Sequence, residues 1–217
     1  MKNFLKLILI SPILFASLVK AQMFIGIDMG YDKGALTDKS GAASAAYGIN
    51  VDPNRETHAF VMGGSVGFEH IFNKFIGTRT FITTLFGSPT SNDGLAYQVF
   101  TAEFNTDYVA RFIEMDNLAF GAFFGTGFGS YVLNKRSQRF SEVPSMSVQF
   151  YLRLGITTKI KDRHIFDLTT QLPIVGYRFG RESWDVHYID TGFQQIVKTP
   201  ILAYTAVRVM ISYRFIL

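Results

Sequence analysis

The chain has 217 residues, enough for one domain, and no cysteine, which excludes a disulfide framework and any cysteine metal site. Charged residues are 18% of the chain, below the ~25% usual for soluble proteins, and 22 Phe, 10 Tyr and 19 Gly make it aromatic- and glycine-rich. The formal net charge of +4 is concentrated at the N-terminus and gives no reason to invoke nucleic acid.

Lys2 and Lys6 precede an apolar run, residues 7–19, broken only by Ser11, Pro12 and Ser17. Val19-Lys20-Ala21 then offers short or small residues at the −3 and −1 positions. This layout predicts a secretory signal peptide over residues 1–21, with Gln22 as the mature N-terminus. The rival is an uncleaved anchor, but the apolar run is shorter than the ~20 residues a spanning helix needs. Removing Lys2, Lys6 and Lys20 leaves 18 basic against 17 acidic residues, a net of +1. No later segment holds the ~18 consecutive apolar residues of a spanning helix.

Beyond that segment the chain alternates with period two, the mark of strands with unlike faces. Residues 23–32 set Met23, Ile25, Ile27, Met29 and Tyr31 against Phe24, Gly26, Asp28, Gly30 and Asp32. The segment 43–51, mostly Ala, Gly and Ser, is a weaker candidate, read as an ordered piece of a connection. Residues 60–72 oppose Phe60, Met62, Val66 and Phe68 to Val61, Gly63, Ser65, Gly67 and Glu69. A less regular strand with Arg79 follows over 78–86. Residues 102–113 oppose Phe104, Tyr108 and Phe112 to Glu103, Asn105, Asp107 and Arg111. In 118–131, Leu118, Phe120, Phe124 and Phe128 oppose four glycines. In 145–159, Val148, Phe150, Leu152, Leu154 and Ile156 oppose Ser147, Gln149, Tyr151, Arg153, Gly155, Thr157 and Lys159. Residues 165–174 oppose Phe166, Leu168 and Leu172 to Asp167, Thr169 and Gln171. The last run, 207–217, opposes Val207, Val209, Ile211, Tyr213 and Phe215 to Arg208, Met210, Ser212 and Arg214.

These are eight runs of about ten residues, the length a tilted strand needs to cross a bilayer. With both termini in the periplasm, the connections near 73–77, 114–117 and 160–164 are short inner turns. Those near 33–57, 87–101, 132–144 and 175–206 are long outer loops. Short turns on one side and long loops on the other characterise outer-membrane barrels, whose single chains carry an even number of strands. The expectation is an all-β, transmembrane antiparallel barrel of eight strands, with a soluble β-sandwich as the rival.

The polar face decides between them. An Arg facing lipid near the bilayer centre costs ~2–4 kcal/mol, and the parity turns every strand arginine away from lipid. The expected lumen network is Asp28, Glu69, Glu103, Asp107 and Asp167 with Arg79, Arg111, Arg153, Arg208 and Arg214. Buried charges need partners, and arginine forks suit carboxylates. In an eight-stranded barrel the interior just holds side chains, so glycines on one wall make room for large groups from another.

The stretches GGSVGFEHIFNKFIGTR (63–79), LAFGAFFGTGFG (118–129), SVQFYLRLGITTKIKDRHIFDLTTQLPI (147–174) and VMISYRF (209–215) resemble the Helicobacter-type outer membrane proteins, the broad family of Hop-related porins and adhesins. The resemblance implies that these stretches form the C-terminal part of an eight-stranded barrel. Residues 23–32 then correspond to a lone first strand, and 33–57 stands where the large adhesins carry an extracellular domain. That segment has only about 25 residues here, so no adhesin role carries over. Related barrels end on an aromatic residue, whereas here Ile216 and Leu217 follow Phe215.

Candidate sites outside the lumen are few. The four histidines, His58, His70, His164 and His187, show no metal-ligand spacing. His164 is expected in a solvated inner turn and His70 in the interfacial belt. Ser183, Asp185 and His187 in one outer loop are the residue types of a lipid-modifying enzyme, but nothing in their spacing shows a nucleophile within reach of a base. The same loop holds the sole Trp, Trp184, with His187 and Tyr188, an aromatic binding-surface candidate. GTGFG (125–129) lacks the GxxxxGK[ST] pattern of a phosphate loop.

No cofactor and no catalytic residue is assigned. The expected role is structural or surface-interacting, with a small porin and a lipid-modifying enzyme as alternatives. Expected partners are outer-membrane lipid and lipopolysaccharide, the outer-membrane insertion machinery, and a host or surface ligand at the outer loops.

Overall fold

A computed structural model describes residues 20–38, 54–91, 97–135, 145–179, 184–188, 194–198 and 202–217. The described residues form eleven strands: β1 (Lys20–Asp38), β2 (Asn54–Ile71), β3 (Ile76–Gly87), β4 (Thr90–Ser91), β5 (Tyr97–Met115), β6 (Leu118–Lys135), β7 (Ser145–Ile160), β8 (His164–Phe179), β9 (Trp184–Tyr188), β10 (Gln194–Lys198) and β11 (Leu202–Ile216). Eight of them close a ring in the order β1, β11, β8, β7, β6, β5, β3, β2, and β2 pairs back to β1. All ladders are antiparallel. The fold is a closed antiparallel eight-stranded β-barrel. Up to the Gln171–Arg208 rung of the β8–β11 ladder, closure removes the sheet edges, as a bilayer requires.

Both termini of the ring and all three short turns lie at one end. The turn between β7 and β8 is closed by Arg163 N–H donating to Ile160 C=O at 3.2 Å. Lys161 and Asp162 hold positive φ of 50° and 57°, the geometry of a type I′ hairpin turn, whose twist matches the strands. At the turn between β2 and β3, the Asn73 side chain accepts from the backbone N–H of Phe75 and Ile76 at 2.8 Å, fixing the chain reversal locally.

The parity expected from the sequence holds around the ring. Ile27, Phe60, Phe124 and Ile211 are more than half exposed on the outer surface. Their neighbours in sequence, Asp28, Val61, Gly125 and Ser212, are buried in the lumen. Cross-strand aromatic pairs line the outside of β5 and β6, with Phe104–Phe128 centroids at 5.5 Å and Tyr108–Phe124 at 5.3 Å.

The strands are longer than the ten-residue runs: seven of the eight barrel strands have 15 to 19 residues, and β3 has 12. Alternation of apolar and polar residues marks only the part inside the ~25 Å apolar band, whereas ladders continue beyond it. The expected outer loops therefore shorten, and much of 33–57, 87–101 and 175–206 is strand. Candidate segment 43–51 and expected signal residues 1–19 lie outside the described residues. β1 and β2 pair directly from Thr37–Asn54 to Lys20–Ile71.

The core is the lumen. Toward the short turns Phe24, Phe81, Ile165 and Ile216 pack together. Toward the long connections Ala59, Val61, Leu85, Val99, Tyr131, Ala206 and Met210 form a second cluster. Charged residues fill the space between and below them.

Candidate functional site: the lumen charge network

Six acidic side chains, Asp28, Asp32, Glu69, Glu103, Asp107 and Asp167, are buried inside the barrel. Six basic ones face them: Arg79, Arg153, Lys159, Arg208 and Arg214 are buried and Arg111 is half-buried. Asp32 and Lys159 share the inward parity and complete the balance, although the ten-residue network expected from sequence does not include them.

Strands four places apart in the ring lie on opposite walls. Three ion pairs span that separation, at successive heights. Lys159 on β7 reaches Glu69 on β2 at 2.9 Å, nearest the short turns. Arg79 on β3 grips both oxygens of Asp167 on β8 at 2.9 and 3.1 Å. Arg208 on β11 reaches Glu103 on β5 at 2.5 Å, nearer the long connections. Each pair is a strut across the bore.

The upper strut is the best connected. Besides Arg208, the Glu103 carboxylate accepts from the Tyr131 hydroxyl at 3.2 Å and from Gln171 Nε2 at 3.3 Å. The Tyr151 hydroxyl lies 3.1 Å from Glu103 Oε2 and 2.8 Å from Asn105 Oδ1, its one proton shared between them. Arg208 in turn forks onto Asp32, Nε to Oδ1 at 2.5 Å and Nη2 to Oδ2 at 2.9 Å. One carboxylate and one guanidinium thus tie together six consecutive strands, β5, β6, β7, β8, β11 and β1. Bidentate charge-assisted bonds of this kind are the strongest hydrogen bonds available to side chains.

The middle level is crowded. Arg153 Nε donates to Asp107 at 2.9 Å, and Arg214 and Arg79 share Asp167. Arg79 Nη2 stands 3.9 Å from Asp107 and Arg214 Nη2 3.8 Å from Asp28, ion-pair distances beyond hydrogen-bond reach. Arg153 Nη1 and Nη2, and both oxygens of Asp28, have no hydrogen-bond partner among the described residues. The guanidinium faces rest on rings instead: Arg153 over Phe81 at 5.0 Å, Arg79 over Phe123 at 4.8 Å, Arg214 over Phe81 at 4.7 Å. Such cation–π contacts offset part of the cost of burying charge.

At the lowest level Glu69 is held between Lys159 and Arg111, both at 2.9 Å. Lys159 also donates to Gln22 at 3.2 Å.

The glycine-rich wall of β6 makes this filling fit. A Cβ on Gly127 would stand 2.5 Å from the Tyr151 ring and 2.5 Å from Asn105 Oδ1. On β7, a Cβ on Gly155 would stand 2.4 Å from the Phe123 ring. Only glycine admits both aromatic rings between neighbouring strands.

The loop candidates stand apart from this network. Trp184, His187 and Tyr188 lie on β9, paired with β10 in a separate two-stranded ribbon, rather than in irregular loop. Ser183, the other member of the lipid-modifying candidate, lies outside the described residues. His164 departs from the solvated turn expected of it. It opens β8, is half-buried, stacks on Tyr213 with its Nδ1 2.9 Å from the Tyr213 hydroxyl, and meets the Phe215 ring at a tilt. Aromatic neighbours on β11 draw it into the belt. His70 sits beside Phe68 on the outer surface, and His58 Nδ1 lies 2.7 Å from the Tyr31 hydroxyl. Among the described residues no group of three His, Asp or Glu is placed to hold a metal ion.

A family model described as Helicobacter outer membrane protein matches residues 63–213. None of the curated proteins compared with it matches the chain. Among solved structures, Ail, the attachment invasion locus protein of Yersinia pestis, aligns over 88% of this chain and 98% of its own, with 13% identity and a TM-score of 0.40. A major outer membrane protein from Thermus thermophilus aligns over 90% and 99%, with 11% identity and a TM-score of 0.37.

Proposed function

The chain belongs to the Helicobacter outer membrane protein family, and from that premise we propose that it is a closed, surface-presenting barrel of the outer membrane. In this reading the strands anchor the chain in the bilayer, and the outer connections meet other molecules. The carrying observation is the filled bore. Arg79, Arg153 and Arg214 are fully buried, and three struts join opposite walls. Large charged side chains reach across the described lumen, and an eight-stranded interior just holds side chains, which supports the closed reading over the small-porin alternative.

The remaining parts of the proposal concern delivery and contacts. Residues 1–21 direct export and are removed, the insertion machinery places the barrel, and lipid and lipopolysaccharide surround it. A host or surface ligand contacts the outer connections, with Trp184, His187 and Tyr188 the first residues to examine. Planar-bilayer recording on protein whose band shifts between unboiled and boiled gels tests the central point. Conductance at baseline is the expected outcome, and stable, large channels overturn the proposal. For the contact residues, Trp184→Ala is expected to weaken binding of cells to host surfaces, and unchanged binding removes Trp184 from the surface.

A further inference from the structure

Two ion pairs at the middle level stop short of contact. Arg214 Nη2 stands 3.8 Å from Asp28 Oδ1, and Arg79 Nη2 stands 3.9 Å from Asp107 Oδ2. All four residues are buried, and these four atoms have no hydrogen-bond partner among the described residues. By contrast, the pairs made by Glu69, by Asp32 and Glu103 with Arg208, and by Arg153 with Asp107 close to 2.9 Å or less. Twice, then, a buried donor faces a buried acceptor and neither completes the bond. Phe81 lies against the face of the Arg214 guanidinium at 4.7 Å, but the N–H groups lie in the guanidinium plane and a ring on the face leaves them unanswered.

The wall around Asp28 is small and polar. Ser212 on β11 pairs directly with Asp28, and Ser65 on β2 pairs with Gly26, two positions nearer the short turns. Both hydroxyls are buried and have no hydrogen-bond partner among the described residues. Gly26 lets its neighbours close in, since a Cβ there would stand 2.8 Å from Ser65 Oγ and 2.9 Å from Arg214 Cγ. Directly opposite residues hold their Cβ atoms about 4.5–5.5 Å apart, which puts Ser212 Oγ within reach of a molecule bound to the Asp28 carboxylate. Apolar groups lie on either side. Phe24 pairs with Ile216 four positions toward the short turns, and Met210 pairs with Gly30 two positions the other way, all three belonging to the buried apolar clusters.

Charge and hydrogen-bond type set what fits. Arg79, Arg153 and Arg214 already balance Asp28, Asp107 and Asp167, so an added anion or cation would bring an uncompensated buried charge. Donors and acceptors are unpaired side by side, which calls for a neutral molecule able both to donate and to accept. Two hydrogen bonds of about 2.9 Å meeting at one atom span gaps of this length. Water meets all three conditions, and a buried water takes about three such bonds. We propose that the middle level is a bound-water site. One water joins Arg214 Nη2 to Asp28 Oδ1, with the Ser65 and Ser212 hydroxyls completing its shell, and a second joins Arg79 Nη2 to Asp107 Oδ2. The site is independent of the closed-barrel reading: bound water leaves conductance at baseline, and a conducting barrel would not remove the bridges.

A crystal structure of the unmodified barrel, refined to where ordered water is visible, tests the site. The expected result is one density peak within hydrogen-bond distance of both Arg214 Nη2 and Asp28 Oδ1, and a second between Arg79 Nη2 and Asp107 Oδ2. Direct contact within either pair, or a missing peak at either gap, overturns the proposal. Crystals grown in bromide separate water from a halide, and an anomalous peak at either gap overturns it too. Water-edited solid-state NMR of the barrel in bilayers gives a second reading. Early transfer from water to the Asp28 and Asp107 carboxyl carbons is expected, with none at the same mixing time to the Phe24 and Leu85 side chains. No transfer to the carboxyls means no bound water, and equal transfer to all four means a bore open to bulk water. Both results overturn the proposal.

Discussion

The upper and middle levels of the lumen carry the same kinds of residues and are built differently. Around Glu103, four donors from four other strands converge on one carboxylate, and Arg208 uses both edges of its fork. Around Asp28, Asp107 and Asp167, three arginines share three carboxylates, and several guanidinium nitrogens find only ring faces. Parity alone places charge inside. Whether that charge stiffens the barrel depends on whether partners arrive from opposite walls at hydrogen-bond distance. A buried pair adds little or nothing over an apolar replacement, but removing one partner from a well-made pair is severe.

The largest expected effect follows from that asymmetry. Arg208→Ala strands Asp32 and Glu103 together in the bore and should cost about 3–5 kcal/mol, read as a lower urea midpoint for the heat-shifting band. A charge on the wrong face comes next: Ile27→Arg, on an exposed outer position near mid-strand, should cost about 2–4 kcal/mol and lower insertion yield. Gly127→Ala pushes a Cβ into the Tyr151 ring and, by overpacking, should cost about 1–3 kcal/mol, with the Tyr151–Glu103 bond the first to lengthen. Arg153→Met at the middle level should cost less than Arg208→Ala by at least about 1 kcal/mol, because Arg153 makes one hydrogen-bonded pair where Arg208 makes three charge-assisted bonds. An equal loss would erase the distinction between the levels. Smallest is Lys33→Ala, which removes an exposed 3.7 Å pair with Glu56 and should change stability by about 0–1 kcal/mol.

Much of this barrel is legible in the sequence, because a lipid exterior and a charged interior force a period of two on every strand. Arg153 between Leu152 and Leu154 already reads as an inward charge, and so do Asp28 and Arg208. Strand ends are not legible, since Lys33–Asp38 and residues 54–59 continue ladders without apolar alternation. The pairing across the bore is hidden too. Glu103 and Arg208 are 105 positions apart, and which residues share a height depends on the stagger of eight strands, which no local pattern records. Tyr131 and Tyr151 therefore look in sequence like ordinary members of their strands rather than donors to Glu103. His164 escapes a local reading for a similar reason, because its partners Tyr213 and Phe215 come from the far end of the chain.

The most direct test of the strut account is a double-mutant cycle across the bore, with Glu103→Gln, Arg208→Gln and the pair, each followed by urea unfolding of the heat-shifting band. A coupling energy of about 1–3 kcal/mol, in the range found for residues in one network, is the predicted result. Additive losses would mean that Glu103 and Arg208 do not brace opposite walls.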